Sequence, residues 1–326
     1  MKVRGKKTNS KLKIVNSTSK IAVLMGGIGE ERDISIQSGS CVAEALRKAD
    51  FNAVTADIGP DNTDILEDGS IDVFFIALHG KFGEDGRLQR ILEEKSLIYT
   101  GSGPNASELA FDKMASKKAF AEAGLIIPKV IRFNEKREAT EIESELPQLG
   151  NRFVVKPVRQ GSTIGVSIVD DPKSAVAAAR ECSAKFGDCM IEEYIDGREI
   201  TVGILQRQAL PIIEIKSKTG FYDYQAKYID ERTEFLFDTI DDAALADKIA
   251  AAALDCFDAL GCRHFARADF ILGKNGIPYV LEINTIPGFT NHSLLPMAAA
   301  KTGLSMSDLC TEIIEAAYSS LIRRKA

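Results

Sequence analysis

A chain of 326 residues, 45% hydrophobic and 27% charged, has the balance of an ordinary globular protein and the length for two or three domains. Its formal net charge of −6 gives no electrostatic reason to expect a nucleic-acid partner. No apolar run approaches the length of a membrane span; the longest, Val73 to Leu78, suits a buried strand.

Residues 1–19 carry six basic residues and no acidic ones, and lack the apolar stretch of a secretory signal. They read as a disordered basic extension, native or from cloning, outside the fold. Ile21 to Met25 is a short apolar strand that runs into Gly26-Gly-Ile-Gly29 and a helix from Ile34 to Lys48. Strand, glycine loop and helix open a Rossmann-like unit, with ligands expected where strands end. The dinucleotide fingerprint is incomplete, because Arg32 stands where its third glycine belongs. Glu30 and Glu31 suit a ligand ammonium better than a pyrophosphate, or else simply complement the helix dipole. Strands follow at Asn52–Asp57 and Ile71–Leu78, then His79-Gly-Lys-Phe-Gly-Glu-Asp-Gly86 opens a helix to Lys95. His79, one of three histidines, lies at a strand's C-terminal end as a site residue or a satisfied structural one.

A boundary falls near Ser102 to Pro104. The next helix is capped by Asp112 and runs to Ala123, with Ala115, Ala119 and Ala123 on one face. Phe153 to Lys156 reads as a strand leading through Pro157 into the loop Arg159-Gln-Gly-Ser-Thr163, with a second strand at Ile164–Val169. This is no Walker loop, but a hairpin tip of this kind offers N–H groups and hydroxyls to phosphate oxygens, with Lys156 beside it. Asp171 caps a helix to Gly187, and strands at Met190–Ile195 and Glu199–Leu205 flank Asp196-Gly197. On their residues alone, Glu192 and Glu199 could be mere solvated positions. Residues 217–232 form a polar, tyrosine-rich loop whose length and aromatics suggest a lid. Asp241 to Leu260 is the clearest helix, with Leu245, Ile249, Ala252, Ala253, Cys256, Phe257 and Leu260 inward. The six cysteines show no metal-ligand spacing and read as reduced thiols of a cytosolic protein.

Phe265–Leu272 and Ile277–Asn284 read as a hairpin around Asn275-Gly276. With that turn, Asp269 lies opposite Glu282 and Arg267 opposite Asn284, all on one face. Opposed carboxylates repel, which makes sense with a divalent cation between them; Asp, Glu and Asn oxygens favour Mg²⁺ or Mn²⁺. The other reading is an exposed face on which Arg267 neutralises both acids. Pro287 and Gly288 end the strand, Gly288 letting a backbone N–H approach a ligand closely. A last helix spans Ser305–Ile322.

Taken together, these pieces resemble the D-alanine–D-alanine ligases of the ATP-grasp superfamily over Lys20 to Tyr318. The motifs Glu-Ile-Asn-Thr-Ile-Pro-Gly-Phe-Thr, His-Gly-Lys-Phe-Gly-Glu-Asp-Gly, Gly-Ser-Thr-Ile-Gly and Tyr-Gln-Ala-Lys-Tyr occur in the family's order and spacing. The resemblance implies an α/β, three-domain ATP-grasp architecture. It has a Rossmann-like (pre-ATP-grasp) substrate domain at 20–101, a central lid domain at 102–192 and a catalytic domain at 193–326, with ATP between the last two. It implies phosphate binding by Lys113, Lys156 and Lys227, adenine contact by Glu192, and ribose contact by Glu199. Ser162, Glu193, Tyr194 and Ile195 would complete the ATP site. Asp269, Glu282 and Asn284 would ligate two Mg²⁺ or Mn²⁺ ions. Glu31 would hold the ammonium of the first D-alanine beside His79, and Ser293 with Leu294 the carboxylate of the second. Arg267 and the Gly288 N–H would stabilise the reacting oxygens, while Tyr228, Ser162 and Glu31 latch the lid.

The implied activity is ATP-dependent ligation of two D-alanines through an acyl phosphate, for peptidoglycan precursors, by a cytoplasmic homodimer with no nucleic-acid or membrane partner. Gly29, Gln160 and Gln225 depart from residues common in the family without touching the implied ligands. Tyr228, where depsipeptide-forming relatives often carry phenylalanine, favours an amine as second substrate. The alternatives are a ligase with D-lactate, D-serine or another acceptor, a non-catalytic nucleotide-binding module, and a Rossmann-type dehydrogenase.

Overall fold

The structure, a computed structural model, describes residues 19–216 and 233–325, with 321–325 as backbone alone. Residues 1–18 of the basic extension and the suspected lid, with Gln225, Lys227 and Tyr228, lie outside the described residues. Ile21, Ala22, Val23 and Leu24 are apolar on both sides of the pleat, the pattern of a strand covered on both faces, and all four are buried. They form β1 (Lys20–Gly26), the centre of a parallel sheet ordered β2 (Asn52–Ile58), β1, β3 (Val73–Ile76). Helix α1 (Arg32–Lys48) joins β1 to β2. Strand β3 is shorter than its apolar run, although Ala77 N–H still donates to Leu24 O at 2.9 Å. Helix α2 (Arg87–Glu94) follows the His79 loop.

The second sheet is antiparallel, ordered β4 (Val130–Arg132), β7 (Cys189–Glu193), β5 (Phe153–Pro157), β6 (Ser167–Val169). It is covered by α5 (Ala139–Glu145) and α6 (Pro172–Phe186) through a core that includes Phe153, Val155, Ala179 and Ile191. Strand β6 starts at Ser167 instead of Ile164, because Ser162 and Thr163 take positive φ and fold residues 161–166 into turns.

The third sheet, also antiparallel, is ordered β11 (Glu234–Leu236), β10 (Ile213–Lys216), β8 (Gly197–Leu205), β12 (Phe265–Gly273), β13 (Pro278–Asn284), with β9 (Gln208–Ala209) added to β8. On one face Ile200, Val202 and Phe270 meet α3 (Pro104–Phe111), α4 (Lys113–Glu122) and α7 (Ala243–Ala259). The predicted α7 stripe is inward, with Ile249, Ala253, Cys256 and Phe257 buried. The other face changes character along its length. Ile213 and Phe265 share a core with β1, β3, α8 (Leu294–Lys301) and α9 (Met306–Lys325). Further along the same face stand Thr201, Glu199, Asp269 and Glu282. The apolar end fixes the sheet against its neighbours, and the polar end becomes a site.

Helix α4 corrects a sequence expectation. Its buried positions are Ser116, Lys117 and Phe120, whereas Ala123 is exposed. Alanine spacing gives a helical period, but side chains so small do not decide which face docks; Phe120 does. The predicted caps hold: Asp112 accepts from Met114 and Ala115 N–H, and Asp171 from Ser174 N–H. All six cysteines are free thiols, five of them buried. Among the described residues no helix is long and apolar enough to cross a membrane.

Candidate active site

The hairpin of β12 and β13 pairs Asp269 with Glu282 and Arg267 with Asn284, as side-chain alternation requires. The route to that register differs from the expected one. Gly273 N–H donates to Ile277 O at 2.9 Å, so the turn is Lys274-Asn275-Gly276, with Gly276 at φ +73°. A bulge then sets Phe270 against Val280 and Asp269 against Glu282, leaving Leu281 as the extra residue. The longer turn and the bulge cancel. Bulges re-aim side chains beside active sites, and this one turns Leu281 and Glu282 toward a cavity.

Each acid has its cation. Arg267 Nε and Nη2 donate to the two Asp269 oxygens at 2.9 and 2.6 Å, and Thr201 Oγ1 donates to Asp269 Oδ1 at 2.6 Å. Glu282 is held by a different element, Lys113 Nζ lying 3.1 Å from its Oε2. Asn284 Oδ1 accepts from Ile286 N–H at 2.9 Å. Two carboxylates and a carboxamide make an oxygen-only donor set, which fits a hard divalent cation. Among the described residues no three His, Cys, Asp or Glu side chains converge as metal ligands. An ion here would therefore complete its shell from water and a substrate's phosphates.

Two cavities, of about 620 and 560 Å³, meet at this hairpin. The first is lined by Lys156, Glu192, Glu193, Tyr194, Ile195 and Glu199, together with Asp269. The second is lined by Glu31, His79, Ser162, Arg267, Asn284 and Gly288, with Ser293 and Leu294 at one end. Lys113, Gln160, Gly161 and Glu282 line both. Of the sequence-predicted residues that are described, Lys156, Glu192, Glu193, Tyr194, Ile195 and Glu199 of the nucleotide set line the first chamber and the substrate set lines the second; Lys113 lines both, and Ser162, expected at the nucleotide, lines the second instead. Lys227 and Tyr228 lie outside the described residues.

Within the first chamber Glu192 is buried between two lysines, Lys117 Nζ and Lys156 Nζ each 2.7 Å from one carboxylate oxygen. Burial pushes the Glu192 carboxyl up, but the two lysine charges outweigh it and leave the group below the usual range. Tyr194 carries the Arg152 guanidinium 4.3 Å from its ring centroid. Glu193 accepts from Lys129 N–H at 3.2 Å.

In the second chamber Ser162 Oγ donates to Glu31 Oε1 at 2.6 Å, joining the glycine loop to the start of α1. Burial and the nearby Glu84 charge push the Glu31 carboxyl above its ordinary value, against the pull of Ser162, His79 and Lys113. His79 Nε2 lies 3.1 Å from Ser38 Oγ, which also accepts from Phe289 N–H at 3.2 Å. Phe289 packs edge-on against Phe75 and Phe265, with centroids at 5.3 and 5.5 Å. The Gly288 loop is thereby fixed to β3, β12 and α1. A Cβ on Gly288 would come 2.6 Å from Ser293 Oγ, so only glycine leaves this approach open. Ser293 is the N-cap of α8, a position that favours a ligand carboxylate.

Four residues escaped the sequence reading as site residues. Glu84 lies inside the His79 motif, and its Oε2 accepts from Gly80 N–H at 2.8 Å. Ser38, Thr201 and Lys117 carry no local signal; each matters through a partner far away in the chain.

The family described as "D-ala D-ala ligase C-terminus" matches residues 120–315. A D-alanine–D-alanine ligase of Syntrophotalea carbinolica is 43% identical over 91% of this chain and 96% of its own. One of Geotalea uraniireducens is 41% identical over 92% and 96%. Among solved structures, the Bacillus anthracis D-alanine–D-alanine ligase complexed with ATP superposes with TM-score 0.82 at 33% identity, covering 94% of this chain and all of that one. VanG D-Ala:D-Ser ligase from Enterococcus faecalis gives TM-score 0.79 at 28% identity, covering 92% and 99%.

Proposed function

The chain belongs to the D-alanine–D-alanine ligase family, and on that premise we propose that it joins two D-alanines into D-alanyl-D-alanine at the expense of ATP, for peptidoglycan precursors. The observation that carries the reading is the junction of the chambers. A phosphate donor in the first and a carboxylate in the second meet where Lys113, Gly161 and Glu282 line both. A free carboxylate is too electron-rich to accept an amine. Its oxygen therefore attacks the terminal phosphorus and ADP leaves. The second amine nitrogen then attacks the acyl carbon, and phosphate departs with that oxygen.

Lys113 and Lys156, with Lys227, bind phosphates; Glu192 takes the base amine and Glu199 the ribose, with Ser162, Glu193, Tyr194 and Ile195 around the nucleotide. Arg267 and the Gly288 N–H meet the charged oxygens. Glu31, beside His79, binds the first ammonium and, with Ser162 and Tyr228, closes the site; Ser293 and Leu294 receive the second carboxylate. Two Mg²⁺ or Mn²⁺ ions on Asp269, Glu282 and Asn284 would neutralise phosphate charge. The proposed domains span 20–101, 102–192 and 193–326, in a cytoplasmic homodimer. The deciding experiment is mass analysis of the products from ATP, Mg²⁺ and D-alanine, with D-lactate and D-serine as competing acceptors. Dipeptide with ADP and phosphate is expected; ATP binding without any ligation rejects the reading.

A pH prediction follows from Glu31. The ammonium needs the ionised carboxylate, and burial with Glu84 raises its pKa. As pH falls through that raised value, kcat/KM for D-alanine should drop, with an inflection above the ordinary glutamate range. Glu31→Gln should flatten this acid limb and lower kcat/KM by about 10²-fold, the worth of a charge-assisted contact. An unchanged acid limb in that variant removes Glu31 from the ammonium site.

A further inference from the structure

Lys117 is the odd residue of the molecule. It is 1% exposed, sits mid-helix in α4, and lines neither chamber. Its Nζ lies 2.7 Å from Glu192 Oε1, yet neither atom has an aligned hydrogen bond among the described residues. The contact is an ion pair held in place by packing. Across the same carboxylate, Lys156 Nζ is 2.7 Å from Oε2, and both Lys156 and Glu192 do face the first chamber. Two buried lysines therefore share one carboxylate, Lys117 behind it and Lys156 in front; burial pulls the Lys117 ammonium below the ordinary lysine range, and the Glu192 charge works against that pull.

Burying a charge is costly even when it is paired, so a lysine kept behind the chamber wall needs a reason. The reason is an exchange. If Lys156 moves to a phosphate, Glu192 loses its front partner, and a buried carboxylate left alone would take up a proton. Protonated, one of its oxygens becomes a donor and the other accepts a base amine only as a neutral carbonyl, a weaker hold than a charged one. Lys117 stays behind and keeps it ionised.

Resting on the ligase reading above, we propose that Lys117 is a positioning residue for base selection. It holds Glu192 charged and oriented, so that Oε2 passes from Lys156 to the exocyclic amine of the nucleotide base as Lys156 turns to the phosphates. Lys117 touches no substrate and acts only through Glu192.

The test is calorimetric titration of the full chain with ATP and with ITP, whose base carries a carbonyl where adenine carries the amine. The parent should favour ATP. In Lys117→Met the affinity for ATP should fall by about tenfold to a hundredfold, the worth of a hydrogen bond to a charged group, while that for ITP changes little, so the preference collapses. A merely structural lysine would weaken both nucleotides alike, and that result overturns the proposal, as does an unchanged ATP preference. Should Lys117→Met fail to fold, the double variant Lys117→Met with Glu192→Gln removes the stranded buried charge. It should bind ATP no more weakly than Glu192→Gln alone; additive losses also overturn the proposal. These are binding measurements, so a parent that selects ATP but makes no dipeptide refutes the ligase reading and leaves this inference standing.

Discussion

Replacing Asp269 by asparagine is expected to lower turnover at least ~10³-fold, equivalent to about 4 kcal/mol of lost transition-state stabilisation. The substitution keeps the size of the side chain and the oxygen that receives Thr201 Oγ1, now at 2.6 Å. It removes one of the two opposed carboxylates and replaces Oδ2, the acceptor of Arg267 Nη2, by an amide N–H₂ that cannot accept, while Oδ1 still receives Arg267 Nε. Two consequences separate a role in charge neutralisation from a role in packing. If Asp269 helps hold the divalent ions, the Mg²⁺ concentration for half-maximal phosphate release should rise steeply in the variant. If it is only the counter-charge of Arg267, that concentration should stay put while the urea midpoint falls. Turnover within threefold of the parent at the same Mg²⁺ requirement would remove Asp269 from the proposed metal set.

What could be read from the chain beforehand was whatever depends on near neighbours. Period-two alternation put Asp269, Glu282, Arg267 and Asn284 on one face of a hairpin, and the paired register agrees. It agrees through two compensating departures, a three-residue loop and a bulge, because the Asn-Gly signal marks a turn without counting its residues. Aspartates before helices were legible as caps, since that hydrogen bond reaches only two or three residues forward. Lys117 was not legible. In Asp-Lys-Met-Ala-Ser-Lys-Lys it looks like one of a solvated set, and only Glu192, 75 residues later, makes it interior. Ser38 is similar, since its partners His79 and Phe289 come from loops joined by tertiary packing alone. Nor did the alanines of α4 reveal its docked face, because that choice belongs to the sheet it meets.

Arg267 separates these levels by experiment. Arg267→Met should reduce kcat by about 10²- to 10³-fold with little change in KM for ATP, the cost of removing one preorganised donor from developing negative charge. The Arg267 side chain is 12% exposed and lines the second chamber, with the plane of its guanidinium fixed by the two bonds to Asp269. A fixed plane matters because a group already oriented needs no reorganisation when charge moves onto the acyl oxygens. Lysine cannot reproduce it: a single ammonium offers charge without the two-pronged grip that sets direction. Arg267→Lys should therefore recover only a small part of the loss, even though the net charge of the site is restored. Full recovery by lysine would mean that Arg267 supplies charge alone and that its fork on Asp269 is incidental. Loss expressed wholly in KM would place it in ground-state binding instead of in the reacting step.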